Sequence, residues 1–291
     1  MRTLIAVTAT WLTVGASVFT QQTRQYEQFD VPGALFTRPF GVNASGHIVG
    51  TYRDAQGQHA FVRDSKGSYL SFDYPAAIAT NAASINARGD VVGRFTDGAG
   101  FNHGYLRTAE GEFEPIDPPA PCVLTTAQTV VHGINDVGDL AGRCFDASAK
   151  ELGWLWRHDG SFRVLDDPAW RGSDAWLATN RDTVMGEYGD ALRFTHGFVW
   201  SEAGGFITLD VDGFATGVRD MNERGDITGI YFDGARFRGF LWHTGVFEPI
   251  DFPGSVNGGG SQGGTRVINN SGLIVGGFID ASGQEHGFLA H

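Results

Sequence analysis

One local pattern, returning six times, constrains this chain more than any other feature. An asparagine preceded by an apolar residue, or once by Thr, stands at Asn43, Asn86, Asn135, Asn180, Asn222 and Asn269, at intervals of 42 to 49 residues. In five copies a glycine follows three residues later and another seven later, as in Asn43, Gly46 and Gly50. The fourth copy, "NRDTVMG", reads as a turn one residue shorter. Four residues after the second glycine comes an aspartate: Asp54, Asp97, Asp146, Asp190, Asp233 and Asp280. A fixed period of this length implies stacked or circularly arranged units, because one such unit cannot bury its own apolar face.

Each unit holds four short extended runs separated by turn residues. The third opens on "HAF", "HGY", "LGW", "HGF", "RGF" or "HGF", with aromatics Phe61, Tyr105, Trp154, Phe198, Phe240 and Phe288. The fourth carries an aromatic four residues before an aspartate, as in Tyr69 and Asp73, and in most copies a proline follows. Four strands per unit are the signature of a propeller blade. The sixth unit ends at "HGFLAH" with three runs, and the stretch at Tyr26 to Asp30 matches the missing fourth. The expected fold is an all-β, six-bladed propeller over residues 21–291, closed by the N-terminal strand pairing into the last blade.

The "HAF" and "HGF" triplets and the "IN-x-x-G-x-(I/V)-x-G" turn resemble the HAF repeat of exported bacterial proteins. The resemblance spans nearly the whole chain after its first residues. It implies export and repetition, and it supplies no catalytic residues.

Composition agrees with short strands and tight turns, with 42 glycines and 22 phenylalanines in 291 residues. A net charge of -12 argues against nucleic acid or an anionic membrane as partner, since both need clustered Lys and Arg. "MRTLIAVTATWLTVGA" has one Arg, an apolar run and small residues, the plan of a secretory signal over residues 1–20. The expected location is periplasmic or extracellular, as a monomer with no membrane insertion after signal cleavage. Cys122 and Cys144, alone in such a chain, are expected to form a disulfide.

Several groups invite a chemical reading. Asp54 with His59, Asp97 with His103, Asp190 with His196 and Asp280 with His286 could suggest a metal or acid/base set, but a pair repeated around a ring is expected to be structural. The aspartates before proline are expected to cap turns by accepting backbone N–H two residues on. "LDVDG" places Asp210 and Asp212 together, where calcium is the one cofactor to consider. "GGSQG" at 259–263 matches a nucleophile elbow in spelling only, since that motif needs a strand-to-helix turn.

The position three before each asparagine reads Phe40, Ala83, His132, Leu177, Arg219 and Arg266, with Arg38 nearby in sequence. On innermost strands these would face a central channel, so Arg38, His132, Arg219 and Arg266 are candidate ligand-binding residues at its mouth. Packing between blades, or pairing with acids such as Asp220, is the favoured role for these side chains, with ligand binding as the alternative. Trp170 and Trp176 are candidate surface aromatics, with packing between blades the favoured role for Trp176. The functional expectation is a binding or interaction module for a glycan or surface protein, with no catalytic residue assigned. The alternatives are a carbohydrate-cleaving enzyme or metal-dependent lactonase on the same scaffold, and a purely structural domain.

Overall fold

The computed structural model describes residues 24–123, 129–211, 213–256 and 264–291, with side chains omitted at 264–266. The expected signal segment, the 259–263 stretch and Asp212 therefore lie outside the described residues. Six four-stranded antiparallel blades form a ring. Blade I is β2 (Phe36–Val42), β3 (Ile48–Arg53), β4 (Gln58–Arg63) and β5 (Tyr69–Phe72). Blade II is β6 (Ala79–Ile85), β7 (Val91–Thr96), β8 (Asn102–Arg107) and β9 (Phe113–Ile116). Blade III is β10 (Val130–Ile134), β11 (Leu140–Phe145), β12 (Glu151–Trp156) and β13 (Phe162–Leu165). Blade IV is β14 (Gly172–Ala178), β15 (Thr183–Gly189), β16 (Thr195–Ser201) and β17 (Gly205–Leu209). Blade V is β18 (Thr216–Met221), β19 (Ile227–Phe232), β20 (Phe237–His243) and β21 (Val246–Ile250).

Blade VI combines β22 (Gly264–Ile268), β23 (Ile274–Ile279) and β24 (Glu285–Ala290) with β1 (Tyr26–Phe29) from the other end of the chain. The pairing runs from Tyr26 opposite Ala290 to Phe29 opposite Gly287, and His291 N–H donates to Gln25 O at 3.0 Å. Ring closure thus satisfies the edge that β24 would otherwise expose. The six repeated aromatics, Phe61 to Phe288, are all buried to 1% exposure or less and form the core of their blades.

The asparagine repeat has a specific physical cause. Asn43 Oδ1 accepts the N–H of Ser45 and of His47 at 3.0 Å each, which shapes its own turn. Its Nδ2 donates to Asn86 O of the next blade at 3.1 Å. Asn86 reaches Asn135 O, Asn135 reaches Thr179 O, Asn222 reaches Asn269 O, and Asn269 returns to Asn43 O. Only a side chain that both accepts and donates can do this, so asparagine stitches neighbouring blades at the lower end of the channel.

Blade IV corrects the sequence reading. Its turn is anchored by Thr179, which Asn180 was expected to do. Thr179 N–H bonds Thr183 O, with the four-residue spacing of Asn43 to His47. Asp182, at φ 55°, stands where Gly46 and its counterparts stand. The turn is therefore of ordinary length, and the misreading arose because an asparagine happens to follow Thr179. Asn180 instead donates to Asp136 Oδ2 at 2.9 Å and Glu223 Oε1 at 3.2 Å.

Candidate functional site: the channel cavity

In every inner strand the ladder slips by one residue opposite the second glycine of the repeat. In β6, Ala82 faces Gly93 and Ser84 faces Val92, so Ala83 is an extra residue. The same bulge isolates Phe40, His132, Trp176, Arg219 and, in backbone, Arg266. A Cβ on Gly93 would lie 1.9 Å from Asn81 O, which is why this position is glycine. The bulge re-aims its extra residue, and here it turns Phe40, Ala83, His132, Trp176 and Arg219 into the channel. Phe40, Ala83, His132, Leu177 and Arg219 of the predicted inward row line the cavity, and Trp176 holds the bulge position of blade IV because the count there starts from Thr179.

The channel holds a cavity of about 540 Å³. It reaches from the inner strands' upper ends down to the asparagine belt. His132 stacks on one face of the Trp176 indole with centroids 4.1 Å apart, and the Arg219 guanidinium lies 3.9 Å from the ring centroid. Both contacts are of the kind that holds an aromatic ring rigid, so Trp176 presents its edge to the cavity. Arg219 also donates to Glu187 Oε2 at 2.8 Å; the predicted pairing with Asp220 does not form. Arg38 pairs with Glu285, and Arg143 pairs with Glu151.

His132 Nε2 lies 3.2 Å from Asp174 Oδ1, off the line that a hydrogen bond requires. Burial pushes the His132 imidazole below its ordinary pKa, which favours the neutral ring. Burial opposes ionisation of Asp174, yet the facing His132, Arg143 and Arg219 outweigh it and hold that carboxyl below the usual range. Glu151 is pushed up by burial despite Arg143. Deeper in the channel, Asp220 accepts N–H from Met221 at 2.8 Å and from Ile268 at 2.9 Å, and burial raises its pKa to about 7. Buried polar atoms on the wall without a protein hydrogen-bond partner include His132 Nε2, Asp174 Oδ1, Trp176 Nε1, Arg143 Nε and Arg219 Nε.

The other predicted groups settle outside this cavity. His59 Nε2 meets Asp54 at 3.2 Å while its Nδ1 meets Asp73 at 2.8 Å. His286 likewise bridges Asp280 and Asp30, and His196 bridges Asp190 and Asp210. The two families of aspartate thus meet on one histidine. Asp73 and Asp30 do not cap a turn two residues on, because Pro75 and Pro32 stand there without an N–H and the carboxylates face the third strand's histidine instead. Where His is absent, Lys150 serves Asp166 at 2.6 Å and Arg238 serves Asp251. Among the described residues no three His, Cys, Asp or Glu are grouped to hold a metal ion. Cys122 and Cys144 form a disulfide with Cα atoms 5.5 Å apart. Trp170 stacks on Tyr188 with centroids 4.0 Å apart and is packing, not a free surface platform.

No protein-family model matches the chain, and no curated protein matches it. Solved structures do. A putative TolB from Agrobacterium tumefaciens is 12% identical over 88% of this chain and 90% of its own, with a TM-score of 0.62. A putative gluconolactonase is 12% identical over 93% of each chain, with a TM-score of 0.56. The Aleuria aurantia lectin, a six-bladed propeller that recognises fucose, is 8% identical over 88% of this chain and 93% of its own, with a TM-score of 0.55. What these proteins share with this chain is the propeller fold.

The structure brings Arg38, His132 and Arg219 together on the cavity wall; the Arg266 side chain is outside the described residues. Sequence reasoning missed Arg94, Arg143, Glu187, Asp174, Glu151 and Glu285. A signal was present. The residue directly after each second glycine reads Thr51, Arg94, Arg143, Glu187, Ile230 and Gly277, and the residue before each "HAF"-type triplet includes Glu151 and Glu285.

Proposed function

We propose that the protein is an exported binding module that takes a sugar residue of a glycan into the channel cavity. The observation carrying this reading is the wall itself. Donors (Arg38, Arg143, Arg219, Asn81) and acceptors (Asp174, Glu187) line about 540 Å³, a volume ordinary for a small-ligand site. Hydroxyl groups both donate and accept, so a sugar can use both sets. The disulfide agrees with an oxidising compartment.

The test is calorimetric titration of the protein with a panel of mono- and disaccharides, on wild type and Ala83→Trp. Ala83 occupies the bulge position that Phe40 and Trp176 hold in other blades, so the ring accommodates an aromatic there. The variant fills the cavity without removing a polar group. Binding should be lost in the variant while its melting temperature holds; binding that survives places the ligand elsewhere.

A surface protein is the second reading, favoured by aliphatic side chains on the upper loops. Leu35, Ile78 and Val256 are 63%, 62% and 56% exposed and belong to the neighbouring blades I, II and VI. A partner docking there would be displaced by Leu35→Asp with Ile78→Asp, changes that leave sugar binding in the cavity intact.

A further inference from the structure

We infer that the bound sugar carries a carboxylate, that of a uronic acid, and that Arg94 receives it; this rests on the sugar-binding reading above. Four described arginines line the cavity. Three have carboxylate partners: Arg38 with Glu285, Arg143 with Glu151, and Arg219 with Glu187. Arg94 has no ion pair and no side-chain hydrogen bond among the described residues. Burial, and then the nearby charge of Arg143, push its pKa below the usual arginine value. A guanidinium stays charged at any ordinary pH, so this cation remains uncompensated beside a second one. An anion entering the cavity offsets both the desolvation cost and the repulsion with its own charge.

The fold does not require a cation at this position. Its counterparts Thr51, Ile230 and Gly277 show that uncharged residues fit the same place in three other blades. Arg94 therefore serves no structural need that the repeat imposes.

The surroundings suit a carboxylate. Asn81 pairs with Arg94 across the β6–β7 ladder. Its Oδ1 is taken by Gln58 Nε2 at 2.8 Å, which leaves Asn81 Nδ2 as a second donor on the same wall. The planar fork of Arg94 matches a carboxylate with two parallel bonds, and the amide can add a third. Asp174 and Glu187 belong to blade IV, two blades round the ring, where Arg143 lies 3.7 Å from Asp174 and Arg219 lies 2.8 Å from Glu187. A uronate carboxylate at Arg94 therefore leaves its ring hydroxyls to the rest of the wall.

The experiment is calorimetric titration of the whole protein with D-galacturonate and D-glucuronate against D-galactose and D-glucose, at low and at moderate salt. Wild type should bind a uronate about tenfold to a hundredfold more tightly than its neutral parent, as expected for charge-assisted hydrogen bonds. Added salt should weaken only the uronate. Arg94→Gln should reduce the uronate to the affinity of the neutral sugar and leave the neutral sugar unchanged, with Arg94→Lys intermediate. The unchanged neutral sugar also shows that the variant is folded. Equal binding of uronate and neutral sugar by wild type overturns the inference and leaves the sugar-binding reading standing. A uronate preference that persists in Arg94→Gln also overturns it. If no sugar of either kind binds, the sugar-binding reading itself fails and the inference with it.

Discussion

The asparagine belt makes a quantitative prediction at the link between blades I and II. Asn43→Asp keeps the two acceptor contacts to Ser45 and His47 and deletes one donor, the Nδ2 that reaches Asn86 O at 3.1 Å. The site is buried, with Asn43 only 5% exposed. An ionised carboxylate there would face a carbonyl oxygen at hydrogen-bond distance, so the variant resists ionisation in the folded state. Its folded pKa is then raised above an unfolded value of about 3.9, and each unit costs about 1.4 kcal/mol. The sign follows. Below pH 4 the protonated acid is present in both states and can donate to Asn86 O, so the loss relative to wild type is about 1 kcal/mol or less. Between pH 4 and pH 7 the loss grows, reaching about 3–4 kcal/mol if the folded pKa is near 7. That is a large share of a typical 5–15 kcal/mol of stability. Urea unfolding of wild type and variant, followed by tryptophan fluorescence at pH 4, 5.5 and 7, measures the difference at each pH. An offset that does not change with pH, or a variant as stable as wild type at pH 7, would refute the role assigned to the belt.

Three further outcomes are expected. Thr179→Asn should restore the missing link to Asn222 and stabilise the ring by about 1 kcal/mol, read as a rise of a few degrees in Tm; no rise would mean that blades IV and V sit too far apart for the amide. Asp220, with a pKa of about 7 against about 3.9 unfolded, stabilises fully below pH 4 and loses up to about 1.4 kcal/mol per pH unit toward pH 7. Asp220→Asn should flatten that part of the stability profile, and an unchanged slope would assign it to another group. Phe29→Ala removes a 6% exposed ring from the strand that closes blade VI, and chemical unfolding should show a loss of about 3–5 kcal/mol; a loss under about 1 kcal/mol would show that β1 contributes little to closure.

Much of the architecture is legible in the residues because the turn chemistry is local. Asn43 accepts from the N–H groups two and four residues on, and Gly46 adopts φ 75°, contacts that lie within one five-residue window. The same locality misled the reading at blade IV, where Thr179 and Asp182 do the work of Asn and Gly with different chemistry. The partners of Asp73 and Asp210 were not legible. Whether such a carboxylate turns toward its own backbone or toward His59 or His196 depends on the ladder register of the neighbouring strand, which no local window contains.

The candidate site divides along the same line. The sequence by itself determined that six four-stranded units close on the N-terminal strand, since the repeat and its displaced first copy admit no other accounting. It also marked Arg38, His132 and Arg219 as inward. Only the tertiary structure decided that Trp176 lies between His132 and Arg219, that Glu151, Glu187 and Glu285 neutralise three arginines, and that Arg94 is left without such a partner among the described residues. The physical reason is geometric. A bulge in each inner strand and the closing of the ring bring together side chains tens of residues apart, and the charge balance of a cavity is a sum over all of its walls.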